Sequence, residues 1–168
     1  MSEFKTSSKN DLKKFIDDKL FKKIFIIAGT KSFNSCGLKE FFRDIENKNI
    51  KYFFKVKPYP DYNELIEIIK NINTFSPDLI IAAGGGSVMD YAKIANVLVY
   101  NSNSLKNIKD ASCKLEKKNR KLLAIPTTAG SGAEVTSNAV IYINNVKYSV
   151  EGELIKPDNF FLIPDFII

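Results

Sequence analysis

Three consecutive glycines at positions 84–86 follow directly after a short apolar run, residues 79–83, and this arrangement strongly constrains the fold. An apolar run that stops at such a turn is typical of a buried strand in a parallel sheet, and the residues from Ser87 onward have the pattern of a helix. Free backbone N–H groups and the helix dipole point outward there, and no Cβ keeps a phosphate at a distance. The first hypothesis is therefore a nucleotide or another phosphorylated ligand.

The rest of the chain alternates between apolar runs and helical patterns. Besides the run before the glycines, strands are predicted at residues 23–28, 51–56 and 122–125. Helices are predicted at residues 38–45, 62–72 (with Asp61 as N-cap) and 87–99, and a loop at 101–121. Residues 138–143 and 146–150 flank an Asn-Asn pair and predict a hairpin. The fold class is therefore α/β: a Rossmann-like parallel sheet with flanking helices and a C-terminal β-hairpin.

Length and composition narrow the class of protein. The 168 residues predict a single domain, and no apolar run is long enough to span a bilayer. The first residues lack a hydrophobic signal core, so a cytoplasmic location is expected and no membrane partner. The net charge of +6 comes from scattered lysines, which favours a solvated surface over nucleic-acid binding. The chain has no histidine, and its two cysteines lack metal-binding spacing, so no metal ligand is predicted in it.

A second loop with potential for chemistry follows the predicted strand at residues 122–125. It places Thr127, Thr128, Gly130 and Ser131 at the C-terminal edge of the sheet, where ligands of open parallel sheets bind. Small hydroxyl side chains between glycines can donate hydrogen bonds to sugar and phosphate without filling the space. Taken alone, this segment is better explained as a Ser/Thr-rich turn that leads into a helix. In the same way, Asp90 in the first turn of its helix could be structural, and Lys93 could lie on the helix surface.

Taken together, the two loops are more specific. Gly-Gly-Gly-Ser-x-x-Asp-x-x-Lys at 84–93, followed by Pro-Thr-Thr-Ala-Gly-Ser-Gly-x-Glu-Val-Thr at 126–136, resembles the iron-containing (group III) alcohol dehydrogenase family. Gly-Gly-Gly-Ser alone would also admit the glycerol dehydrogenase and dehydroquinate synthase relatives. The resemblance extends from the first strand to Pro164 and implies a dehydroquinate synthase-like N-terminal domain, here a single nucleotide-binding domain over residues 1–168.

The resemblance implies a role for each site residue. The cofactor pyrophosphate would be held by Gly85, Gly86 and Ser87, with Asp90 bracing the loop near the nicotinamide. The adenosine and ribose would be lined by Thr127, Thr128, Gly130 and Ser131. Val140 would be an apolar wall and Lys147 a cofactor contact. For these last two only the resemblance speaks, because a core valine and a surface lysine are the alternatives.

The end of the first strand bears on the choice between NAD and NADP. NAD-preferring members of the family usually place an aspartate there, where this chain has Thr30, followed by Lys31 and Ser32. A carboxylate would repel a 2′-phosphate, whereas these side chains could bind one, so NADP is favoured over NAD. Tyr59 stands where the family commonly has asparagine.

The resemblance implies hydride transfer between nicotinamide and a small alcohol or aldehyde, with iron or another divalent metal in the complete enzyme. Members of the family bind that metal through histidines of a C-terminal helical domain, which is expected to be absent from these 168 residues. The chain would then be the NAD(P)-binding half of a metal-dependent alcohol dehydrogenase or aldehyde reductase, inactive alone. It could be a fragment, the product of a truncated gene or one part of a split enzyme whose missing domain acts in trans. Family members often form dimers, so a homodimer is a further expectation. The alternative is a stand-alone nucleotide-binding or regulatory module without catalysis.

Overall fold

The computed structural model describes residues 7–168; residues 1–6, on which the prediction of no secretion signal partly rests, lie outside the described residues. The helices are α1 (Lys9–Ile16), α2 (Thr30–Ser35), α3 (Leu38–Arg43), α4 (Tyr62–Phe75), α5 (Gly86–Val97) and α6 (Ser104–Lys109). The strands are β1 (Lys23–Gly29), β2 (Asn49–Lys55), β3 (Leu79–Gly84), β4 (Lys121–Pro126), β5 (Asn138–Ile143), β6 (Val146–Glu151) and β7 (Asn159–Phe160). Short 3-10 turns lie at Glu153–Ile155 and Pro164–Phe166.

Five strands form one parallel sheet in the order β2-β1-β3-β4-β7. The three central strands are β1, β3 and β4, whose residues are almost entirely buried. Burial on both faces explains why these strands are continuous apolar runs rather than alternating ones. The predicted parallel sheet with flanking helices is confirmed.

Each face of the sheet has its own core. Successive side chains of a strand point to opposite faces, so Phe25 and Ile27 contribute to one core while Ile24 and Ile26 contribute to the other. The first core is covered by α4 and α5, and the second by α1, α2 and α3. This packing on both faces fixes the strand ends against the helices that follow them.

The predicted hairpin is also confirmed, as β5 and β6 pair antiparallel around Asn144 and Asn145. Both asparagines have positive φ, 50° and 64°, the conformation that a two-residue type I′ turn requires. The hairpin is joined to the sheet side by the backbone N–H of Tyr142, which donates to the Pro60 carbonyl at 2.7 Å. It therefore lies beside the segment that connects β2 to α4.

The predictions were incomplete where elements are short. The predicted loop at residues 101–121 contains α6, so that prediction was wrong for Ser104–Lys109. Only Ile108 among its apolar side chains is fully buried, and six residues are too few for a helical period to appear. The helices α1 and α2 and the two-residue strand β7 were not predicted either. Among residues 7–168, no helix has both the length and the apolar composition needed to cross a membrane.

Candidate functional site

The order of the strands creates a crevice at one edge of the sheet. From β1 the chain returns to the sheet on one side as β2, whereas from β3 it continues to the other side as β4. Connections that leave adjacent strands in opposite directions open a ligand crevice outside their carboxyl ends. These ends are Gly29 of β1 and Gly84 of β3, so the glycine loop lies at the switch point of the sheet.

The glycine loop, residues 84–87, presents backbone rather than side chains. The helix α5 begins at Gly86 with Gly85 as its N-cap, and no side chain hydrogen-bonds to this helix end. The N–H groups of Val88 and Met89 donate to the Gly85 carbonyl, at 3.0 and 3.2 Å. The N–H groups of Gly86 and Ser87 precede these bonds and belong to the unpaired first turn, where the helix dipole favours an anion.

At these three positions glycine lets neighbouring atoms approach the backbone closely, and it is not required by an unusual backbone conformation. Gly85, for example, has an ordinary φ of −82°. A Cβ added at Gly84 would lie 2.6 Å from Cγ2 of Val88, so this glycine lets β3 and α5 pack together. A Cβ at Gly85 would lie 3.0 Å from Oγ1 of Thr128, and one at Gly86 would lie 3.5 Å from Cβ of Ser131. The two loops predicted from sequence therefore face each other.

The second loop, residues 126–137, is named here the hydroxyl loop. It begins beside the glycine loop, where the Thr127 N–H donates to the Gly84 carbonyl at 3.0 Å. Its Gly130 and Gly132 have φ of +98° and +60°, a left-handed conformation that residues with a Cβ rarely adopt. Thr128, Gly130 and Ser131 are exposed, whereas Thr127 is fully buried. The side chain of Thr128 is thus accessible to a ligand, and the hydroxyl of Ser131, which accepts from the Ala133 N–H at 3.4 Å, can still donate to one.

Thr127 has an unusual environment for a buried threonine. Its Oγ1 atom has no hydrogen-bond partner among the described residues, although its carbonyl accepts from the Ile168 N–H at 2.9 Å. A buried hydroxyl without a partner is costly and uncommon in folded proteins. The unpaired hydroxyl, the glycine cradle and the exposed helix N-terminus together fit the pyrophosphate and ribose of a dinucleotide.

Asp90 lies in the second turn of α5, not in the first as predicted, because the helix begins at Gly86. Burial raises its pKa to about 6, against the lowering effects of Lys93, of a hydrogen bond from the Val140 backbone and of Lys147. These contributions place Val140 of β5 and Lys147 of β6 beside α5. Val140 is half-buried and Lys147 is exposed. In the hairpin Val140 pairs with Ser149 and Tyr142 pairs with Lys147, so the side chains of Val140 and Lys147 lie on the same face.

Lys93 does not lie on the helix surface, so that interpretation of the sequence was wrong. Its side chain is buried, and its Nζ donates to the carbonyls of Ala133 and Asn138 and to Oγ1 of Thr136. Burial lowers its pKa to about 8, against the raising effects of Asp90 and Glu134. The sequence carries one sign of this position, because Lys93 stands within an otherwise apolar Ala-Lys-Ile-Ala segment.

A second cleft, of about 920 Å³, lies at the C-terminal ends of β1 and β2. It is lined by Gly29, Thr30, Lys31, Ser32, Ser35, Lys55, Val56, Pro58 and Ile168. Two lysines line it, and no Asp or Glu side chain does. Lys55 was not predicted; its Nζ donates to the Lys57 carbonyl at 2.7 Å, and burial lowers its pKa. Tyr59 does not line this cleft. It contacts the hairpin, where the centroid of its ring lies 4.9 Å from that of the Tyr142 ring.

Within residues 7–168, no group of three or more His, Cys, Asp or Glu side chains is placed to hold a metal ion.

Comparison with known sequences gives the family. A family model described as iron-containing alcohol dehydrogenase matches residues 3–164. An alcohol dehydrogenase from Thermococcus barophilus is 32% identical over 149 residues, which are 83% of this chain and 39% of the relative. An NADPH-dependent butanol dehydrogenase from Clostridium saccharobutylicum is 35% identical over 113 residues, 65% of this chain and 29% of the relative. The chain thus spans well under half the length of these relatives.

Solved structures agree on the fold. An iron-containing alcohol dehydrogenase from Thermotoga maritima has a TM-score of 0.77 and 26% identity, and the match covers 96% of this chain and 45% of that one. A sulfoacetaldehyde reductase from Bifidobacterium kashiwanohense, solved with NAD+, has a TM-score of 0.83 at 21% identity, over 96% of this chain and 44% of that one. The match of the family model over almost the whole sequence decides the assignment. The chain belongs to the iron-containing alcohol dehydrogenase family.

Proposed function

We propose that this chain is the NAD(P)-binding domain of a metal-dependent alcohol dehydrogenase or aldehyde reductase. The observation that carries the proposal is the facing pair of loops at the switch point, where Gly85 approaches Thr128 and Gly86 approaches Ser131. A helix N-terminus without a capping side chain on one wall and the exposed hydroxyl residues Thr128 and Ser131 on the other suit a pyrophosphate and the sugars attached to it. The bound dinucleotide would exchange a hydride with the substrate: its reduced form would donate one to a small aldehyde, and its oxidised form would accept one from a small alcohol.

The proposed roles of the residues follow from their places in this crevice. The pyrophosphate would lie on the backbone of Gly85, Gly86 and Ser87, and the adjoining ribose and adenosine along the hydroxyl loop. Asp90, Val140 and Lys147 would contact the nicotinamide end; the support for this is the family resemblance, together with the proximity of the two hairpin residues to Asp90. The chain does not itself offer a metal site among the described residues, so its proposed task is to bind and orient the dinucleotide. We expect these 168 residues alone to bind it without turning over an alcohol.

We further propose a preference for NADP over NAD. The cleft at the ends of β1 and β2 is lined by Lys31 and Lys55 and by no Asp or Glu side chain, which suits the charge of a 2′-phosphate. The relatives support either cofactor, since one is named as NADPH-dependent and another was solved with NAD+. The chemistry of the cleft therefore carries this part of the proposal.

Calorimetric titration of the purified chain with NADP and with NAD tests both parts. We expect heat of binding with both ligands and the lower dissociation constant for NADP. Lys31→Ala should weaken NADP and leave NAD unchanged, whereas Lys39→Ala, an exposed lysine outside this cleft, should alter neither. No heat with either ligand at millimolar concentration would refute the proposed function. Binding of NAD alone would refute only the preference for NADP.

A further inference from the structure

Lys93 is the most fully buried charged side chain of the described residues, with 1% of its surface exposed. A charged ammonium is costly to bury unless each of its donors finds an acceptor. Lys93 meets this condition, because its Nζ lies 2.9 Å from the Ala133 carbonyl, 3.0 Å from Oγ1 of Thr136 and 2.6 Å from the Asn138 carbonyl. One side chain of α5 thus binds three successive points of a segment about forty residues further along the chain.

The segment that Lys93 binds, residues 133–138, connects the two parts of the candidate site. On its N-terminal side lies the hydroxyl loop with Thr128 and Ser131, and on its C-terminal side β5 begins and leads to Val140. The segment has no regular secondary structure until Asn138. Besides its bonds to Lys93, it is held by the turn bond from the Val135 N–H to the Gly132 carbonyl, by the Ala133 N–H, which donates to Oγ of Ser131, and by the Gly152 N–H, which donates to the Ser137 carbonyl. None of these three bonds involves α5, so the hydrogen bonds of Lys93 are what join the segment to that helix.

We propose that Lys93 is a positioning residue that fastens residues 133–138 to α5 and thereby holds Thr128 and Ser131 opposite Gly85 and Gly86. The first turn of α5 also forms part of the glycine loop. Both walls of the crevice are therefore held in position by the same helix. Only the last step, from the position of the hydroxyl loop to the binding of a dinucleotide, rests on the proposed function. The fastening itself is a property of the protein without ligand.

Charge is part of this arrangement. The titratable groups facing Lys93 are Asp90 on α5 and Glu134 on the fastened segment, and Lys147 of the hairpin faces Asp90 in turn. Burial lowers the pKa of Lys93 to about 8, so its amine loses a proton in mildly alkaline solution. A neutral amine has two donors for three acceptors, and one of the bonds is lost. The arginine of Lys93→Arg stays charged over this range.

Hydrogen–deuterium exchange on the ligand-free protein tests the fastening directly. In Lys93→Met we expect the amides of residues 133–138 to exchange at least roughly tenfold faster than in the wild type, since hydrogen bonds to a charged group are lost. Lys70→Met, which removes an exposed lysine from α4, should leave their exchange unchanged. Exchange in Lys93→Met as slow as in the wild type would overturn the proposal.

Two further measurements keep the test decisive if Lys93→Met does not fold. Thr136→Val removes one acceptor of the three and should speed exchange of the same amides by a smaller factor. In the wild type, exchange of residues 133–138 relative to β3 should rise as pH passes 8, and Lys93→Arg should remove this rise. A wild-type ratio that does not change with pH, together with no effect of Thr136→Val, would refute the fastening.

Titration with NADP connects the fastening to function. If the wild type binds NADP, Lys93→Met should weaken the binding roughly tenfold, and Lys70→Met should not change it. Faster loop exchange with unchanged NADP affinity would contradict the proposed positioning role. If the wild type binds neither NADP nor NAD, the proposed function fails, whereas the exchange data still decide whether Lys93 fastens the loop.

Discussion

The glycine loop and the hydroxyl loop face each other across the same crevice but are held in different ways. The glycine loop is a direct continuation of β3 into α5, and both elements are anchored by the core that covers one face of the sheet. The hydroxyl loop contains two glycines with left-handed backbone and is held at its far end by Lys93, a residue of the opposite wall. One wall is therefore specified by local sequence and the other by a long-range contact, so substitutions in the two walls should have different physical consequences.

The largest expected effect concerns Asp90, where α5 faces the hairpin. Its pKa of about 6 in the folded protein lies above the usual 3.8, so the folded state binds the proton more tightly than the unfolded state. The contribution of this carboxyl to stability is therefore greatest below pH 4 and is lost as pH rises to 6. The free energy of unfolding of Asp90→Asn should therefore rise by roughly 2–3 kcal/mol relative to that of the wild type between pH 4 and pH 7.

Urea denaturation of the two proteins at pH 4, 5, 6 and 7 measures this difference. Asp44→Asn, which alters an exposed aspartate, is the matched control and should show no comparable trend. A constant difference between Asp90→Asn and the wild type across this range would contradict the raised pKa of Asp90.

The next prediction compares two reasons why replacing a glycine by alanine lowers stability: lack of space for the Cβ atom, and backbone strain. Gly84→Ala would place a Cβ 2.6 Å from Cγ2 of the buried Val88 and should cost about 2 kcal/mol of stability by overpacking. Gly132→Ala in the hydroxyl loop meets no atom within 4 Å, but its φ of +60° should cost about 1 kcal/mol. Denaturant unfolding measures both costs. In a Val88→Ala background, Gly84→Ala should cost less stability than it does in the wild type. If the costs of the two substitutions simply add, Val88 is not the group that the new Cβ meets.

The difference between local sequence patterns and long-range contacts also explains which features could be predicted from the sequence. The strands β1, β3 and β4 were predicted because each is a compact apolar run that stops at glycine or proline, a pattern contained within a few residues. The partners of Lys93 lie 40 to 45 residues away, and no local pattern encodes such a contact. For the same reason, the places of Val140 and Lys147 beside Asp90 followed only from the family resemblance. The missing partner of Thr127 Oγ1 is a property of three-dimensional packing and has no local signature at all.

A third effect appears in ligand binding rather than in stability. Gly85→Ala would bring a Cβ to 3.0 Å from Oγ1 of Thr128, closer than most carbon contacts, whereas Gly86→Ala would meet Ser131 at an ordinary 3.5 Å. We expect Gly85→Ala to displace Thr128 and weaken NADP binding about tenfold, equivalent to roughly 1.4 kcal/mol, and Gly86→Ala to weaken it less. Calorimetric titration measures both. In a Thr128→Ala background the added methyl of Gly85→Ala should cause little further loss, and an undiminished tenfold loss there would locate the obstruction elsewhere.

The smallest expected effect tests the unpaired hydroxyl of Thr127. Valine has nearly the shape of threonine, so Thr127→Val removes a buried polar atom that has no partner and should raise the stability of the ligand-free protein by about 1 kcal/mol. Thr136→Val is the matched control, because Oγ1 of Thr136 accepts from Lys93 and its loss should be destabilising. Urea denaturation without and with NADP checks both variants, and the advantage of Thr127→Val should shrink when the ligand is present, since the wild-type hydroxyl then gains its partner. If Thr127→Val is less stable than the wild type without ligand, this hydroxyl is already hydrogen-bonded in the free protein. It would then not be available as an unpaired group for a dinucleotide.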